Sequence, residues 1–129
     1  VKFKGTLIRP LADQRDRDNR FIDPAGVEFG NHRYPLTVEF DLSRTVGYAT
    51  VSRAPDGSLV AEGVITEGDL DAVLGSRRPK LAVGIAGKGD DLRADVVRRC
   101  RVVSTALTLD HADPGQPPIE EVEEQPDRA

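Results

Sequence analysis

Hydrophobic and polar positions alternate along much of the chain, and a period of two predicts strands rather than helices. Val1–Ile8 sets Val1, Phe3, Gly5 and Leu7 against Lys2, Lys4, Thr6 and Ile8 and is closed by Pro10. Ala12–Arg20 (ADQRDRDNR) is charged and has no period, which predicts a loop, and Phe21–Asn31, with DPAG and a further glycine, predicts turns. Tyr34–Asp41 and Thr45–Arg53 are rich in Val, Thr, Tyr and Phe and predict two strands. Ala54–Gly57 (APDG) predicts a hairpin turn, because proline presets φ and glycine accepts a positive one, with Ser58–Ile65 as the return strand.

At Thr66 the period changes. Thr66 is a candidate N-cap, Glu67, Asp69 and Asp71 follow where a helix dipole favours acids, and Leu70, Val73 and Leu74 fall on one helical face. This predicts a short helix over Thr66–Gly75. Lys80–Ala86 then predicts a strand, GKGDD a turn, and Leu92–Val103 and Thr105–Leu109 two more strands. The sum is an α+β, mainly β domain: a barrel-like or highly curved sheet of about seven strands with one short helix. Residues 1–112 form the expected domain. Residues 113–129 hold Pro114, Pro117, Pro118 and Pro126 and form the expected acidic, proline-rich extended arm.

A chain of 129 residues fits one domain. No window approaches the roughly 18 apolar residues of a membrane helix, so no membrane association is expected. Val1–Pro10 does not read as a signal peptide. Cys100 is the single cysteine, which excludes an internal disulfide and points to a reducing cytoplasm. The net charge of −4 is unevenly spread. Residues 110–129 carry seven acids against Arg128, while Arg77, Arg78, Lys80, Lys88, Arg93, Arg98, Arg99 and Arg101 face only Asp90, Asp91 and Asp95. A basic segment and an acidic tail of similar size point to an electrostatic contact, within the chain or between neighbours; two solvated faces are the plainer alternative.

Candidate chemistry is sparse. His32 (in GNHRY) and His111 (in LDHADP) have no metal-ligand partner at short spacing and read as loop histidines rather than general bases. Cys100 between Arg99 and Arg101 reads either as an activated thiol or as a small buried hydrophobe. No serine lies in a GxSxG elbow. GIAGKG, over Gly84–Gly89, leads into Asp90 and Asp91, whose charges would repel a phosphate. Arg77–Arg101 has no interleaved aromatic, which disfavours nucleic acid. Neither a cofactor nor a metal is expected.

From Phe40 onward the order of features resembles the prohead (capsid maturation) proteases of tailed bacteriophages, which share a fold with the herpesvirus assemblins. The residues that carry the resemblance are Phe40–Asp41, Val46–Gly47, the APDG hairpin, the helix near Glu67–Leu74, Ala82-Val83-Gly84-Ile85, and Ser104-Thr105-Ala106-Leu107 running into His111-Ala112-Asp113-Pro114. The match spans roughly residues 36–114. The resemblance places the family's histidine base at Phe40, its serine nucleophile at Ala82 and its acidic third member at Ser104. A phenyl ring takes no proton and a methyl group attacks no carbonyl, so the resemblance implies the scaffold without protease activity.

A copy of such a fold that retained recognition but lost cleavage implies a structural role in a virion capsid. The expected function is a minor or decoration protein that binds the major capsid protein and copies of itself, made in the host cytoplasm during assembly. Alternatives are an inactive protease-like regulator of prohead assembly, a hydrolase with a different nucleophile, or a cellular adaptor. Candidate partner-binding residues are Arg98, Arg99 and Arg101 in the basic segment and Ile119, Glu120, Glu121 and Val122 in the arm, which could add to a sheet edge.

Overall fold

The computed structural model describes residues 2–15, 21–66, 79–109, 111, 113 and 115–122. Its strands are β1 (Lys2–Ile8), β2 (Phe21–Ile22), β3 (Val27–Glu28), β4 (Tyr34–Val38), β5 (Asp41–Arg53), β6 (Leu59–Ile65), β7 (Lys80–Ala86), β8 (Val96–Val97), β9 (Cys100–Thr108) and β10 (Glu120–Val122). One short helix, α1 (Gly89–Arg93), lies among the described residues. The helix expected over Thr66–Gly75 lies outside them, apart from Thr66. The protein is a mainly β, α+β chain whose main sheet curls into a half-barrel.

The sheet runs β10-β1-β6-β5-β4-β9, with β3 continuing the β4 side of β9 and β7 pairing along its other side. Successive antiparallel pairs give way to a parallel β4–β9 contact, Leu36↔Thr105 to Val38↔Leu107. Curling brings β1 against β7, and the inward faces supply the core: Phe3, Leu7, Leu36, Val46, Leu59, Ile65, Leu81 and Leu107 are fully buried. The β5–β6 hairpin forms at the predicted turn. Gly57 takes φ of +92°, its N–H bonds the Ala54 carbonyl at 3.0 Å, and Asp56 accepts from the Ser58 N–H at 2.9 Å.

Four expectations are corrected. The strand predicted through Phe40–Asp41 breaks: Glu39 and Phe40 take φ of +51° and +60° and form a two-residue turn, so β4 and β5 are a hairpin and β5 runs unbroken from Asp41. The turn is stabilised by the Glu39 carboxylate, which accepts from Thr108 Oγ1 at 2.9 Å and from the Leu109 N–H at 2.8 Å. The predicted turn GKGDD instead opens α1, and the predicted break at Ser104 is absent, because β9 absorbs the irregularity as a bulge at Val103 opposite Gly84 and Ile85.

The fourth correction concerns the arm. Its described part is built into the barrel rather than extended from it. Arg9 donates through Nε and a terminal nitrogen to Asp113 at 2.9 and 2.8 Å, and the Arg15 and Gly115 N–H groups bond the same carboxylate. Buried Gln116 donates to the carbonyls of Thr6 and Leu7 on β1 and of Leu81 on β7, spanning the seam where the sheet closes. The Ile119 N–H bonds the Pro79 carbonyl at 3.0 Å, and its side chain, 1% exposed, enters the core. A Cβ on Gly5 would lie 3.1 Å from Ile119 Cγ2 and 3.1 Å from Leu81 Cδ1, so the missing side chain of Gly5 makes the socket. Then β10 pairs antiparallel with β1, Lys2↔Val122 and Lys4↔Glu120.

Candidate functional site

The structure divides the sequence-predicted binding residues between two ends of the barrel. Arg98, Arg99 and Arg101 lie at the end where β9 begins and β7 finishes. The segment over residues 21–28 is fastened beside them: Phe21 and Asp23 donate to the Asp95 and Val97 carbonyls, and β2–β8 and β3–β9 pair in parallel. Gly26 is required there, since a Cβ would sit 1.7 Å from the Arg98 carbonyl oxygen. The result is an open cleft of about 650 Å³ between Ala25–Glu28, Ala86–Lys88 and Arg98–Arg101, with Asp91 on its rim.

Four cations and two carboxylates line this cleft: Lys88, Arg98, Arg99 and Arg101 against Glu28 and Asp91. Arg98 is partly committed, at 3.2 Å from Asp23. Arg99, Arg101 and Lys88 are exposed, with no ion pair among the described residues. Alternation along β9 turns Arg101 outward and Cys100 inward, and Arg99, just ahead of the strand, is exposed as well. Burial pushes the Cys100 thiol pKa up, so at neutral pH it is a protonated packing group rather than an activated nucleophile. The walls contributed by Ala25–Glu28 were not legible as part of a site, because the parallel β3–β9 pairing joins segments some seventy residues apart.

At the other end, β10 is the outer strand of the sheet. Glu120 and Val122 are exposed on it, and Lys4 Nζ lies 4.0 Å from Glu120. Glu121 continues the backbone pairing opposite Phe3. Ile119 is not available to a partner, since the chain's own core takes it. Sequence reasoning also missed the β4–β5 hairpin tip, which presents Phe40 at 47% and Leu42 at 76% exposure. The glutamate and phenylalanine at its turn carry none of the usual turn signals.

Phe40, Ala82 and Ser104, the positions at which the resemblance expects a catalytic set, are also placed. Ala82 pairs with Ala106 and Gly84 with Ser104, so Ala82 and Ser104 are diagonal neighbours on adjacent strands, on the sheet face opposite Leu81. Phe40 is on the hairpin tip beyond the far end of β4. His32 packs tilted on Tyr34 with ring centroids 4.3 Å apart, and His111 Nδ1 accepts from the Asp113 N–H at 2.9 Å. No group of three or more His, Cys, Asp or Glu among the described residues could hold a metal, and none of their helices is long and apolar enough to cross a membrane. Comparison with family models, with curated proteins and with solved structures finds no match.

Proposed function

We propose that the chain is a non-enzymatic structural protein of a tailed-phage capsid, a minor or decoration protein that binds the major capsid protein and stabilises the shell. On this reading it carries a prohead-protease-like fold whose catalytic positions have been lost, and its place is the virion capsid after assembly in the host cytoplasm. The order of motifs from Phe40 to Pro114 supports the scaffold, and fold alone gives no function, so the chemistry of the positions carries the rest.

One observation carries most weight. Ala82 and Ser104 are diagonal neighbours on paired strands, where a nucleophile and its supporting group could cooperate, and Ala82 offers only a methyl group. Phe40, at the position of the base, has no titratable group. The chain instead presents surface: a basic cleft, a charged edge strand and an exposed apolar hairpin tip. Such surfaces suit repeated weak contacts on a lattice, where avidity makes modest affinities sufficient.

The test is the composition of purified particles. Quantitative mass spectrometry of mature virions should find the chain at a fixed ratio to the major capsid protein, with no cleavage of capsid or scaffold polypeptides on incubation with the purified chain. Presence only in immature particles would overturn the reading in favour of an assembly regulator. Cleavage would overturn it in favour of a hydrolase.

A further inference from the structure

We propose that the acidic C-terminal run beyond β10 of one copy, Glu123 through Asp127, docks in the basic cleft of a second copy, so that the chain associates with itself head to tail. This does not rest on the capsid reading. It stands on charge, shape and reach.

The charges are complementary. Lys88, Arg99 and Arg101 have no ion pair among the described residues, and they outnumber the carboxylates of the cleft, Glu28 and Asp91. Beyond β10 the run EEQPD carries three acids and no base. The cleft is open rather than enclosed, its Val27–Glu28 wall is paired with β9, and its exposed guanidinium groups can each take a carboxylate through two parallel bonds. An extended acidic segment fits that geometry better than a compact ligand.

Reach decides between the same copy and another. Following the pairings around the sheet, β1 and β7 run in the same direction. Gln116 bonds both Thr6 and Leu81 and so sets those residues level across the seam. Val122 pairs with Lys2, toward one end, and Arg101 pairs with Ala86, toward the other. At about 3.3 Å per residue, the steps from Lys2 to Thr6 and from Leu81 to Ala86 add to about 30 Å. From Val122 to Asp127 the chain spans at most about 18 Å when fully extended. The acids therefore cannot enter the cleft of their own copy. A contact in which one end of a molecule meets the opposite end of the next is heterologous, and it builds rings or rows rather than a symmetric pair.

Sedimentation velocity of the isolated chain tests this. The full chain should associate at low salt, with the association constant falling about tenfold between roughly 50 and 300 mM NaCl, because the contact is between exposed charges. Arg99→Glu with Arg101→Glu should give a monomer, and so should a chain ending at Val122; circular dichroism should show both folded, since the substituted side chains are exposed and β10 is kept. Mixed in equal amounts, the two variants should form two-chain species and nothing larger, because one supplies only a tail and the other only a cleft. A full chain that stays monomeric at low salt, or an association that survives either variant, would overturn the proposal. So would binding of a single-stranded oligonucleotide that depends on Arg99 and Arg101 while the chain remains monomeric, which would make the cleft a nucleic-acid site.

Discussion

Asp113 shows how one side chain can hold two distant segments. Burial acts to raise its pKa, but the hydrogen bonds from Arg9, the Arg15 and Gly115 N–H groups and the Arg9 charge outweigh it and hold the carboxyl below its usual range. A depressed folded pKa stabilises the fold above the unfolded value of about 3.9, and that contribution disappears as pH falls through the folded pKa. Acid titration of thermal stability should therefore show a loss below about pH 4 that Asp113→Asn removes. The substitution itself should cost about 3 kcal/mol at neutral pH, because it leaves Arg9 partly buried without its partner. Ile119→Ala should cost about 2–5 kcal/mol by chemical denaturation, as expected for a fully buried aliphatic side chain. Neither residue announces this in the sequence. Asp113 lies among prolines, and Ile119 stands between Pro118 and Glu120, so no period marks it as core.

At the scale of elements, the described arm is a strap. Gln116 joins β1 to β7, and β10 extends the sheet beyond β1. Deletion of Gly115–Ala129 removes Gln116, Ile119 and β10 and should lower stability by several kcal/mol, whereas a chain ending at Val122 should melt within about 2 °C of the full one. Equal melting of both truncated chains would show that the strap contributes nothing. The turn between β4 and β5 gives a second check. Phe40→Gly places glycine at φ of +60° and should leave stability unchanged or raise it by up to about 1 kcal/mol in a denaturant titration. Strands with strict alternation and the APDG turn were legible from local pattern alone. The Glu39–Phe40 turn was not, because tertiary bonds from Glu39 to Thr108 and Leu109 impose it on residues that do not favour it.

For the molecule as a whole, the mainly β half-barrel follows from the density of period-two segments, while its closure depends on contacts far apart in sequence. The basic residues were legible as a segment. Their assembly into a cleft was not, because its other wall arrives through the β3–β9 pairing. Placed at opposite ends of one body, the cleft and the acidic strand give the protein polarity, and the apolar tip at Phe40 and Leu42 adds a third exposed surface. These features frame the proposed role as a shell component that works through surface contacts. The most direct measurement is co-sedimentation of the full chain with assembled shells of the major capsid protein across a salt series. The account predicts saturable binding at a fixed ratio to capsid subunits, loosened as salt rises. Failure to sediment with the shells at low salt would contradict it.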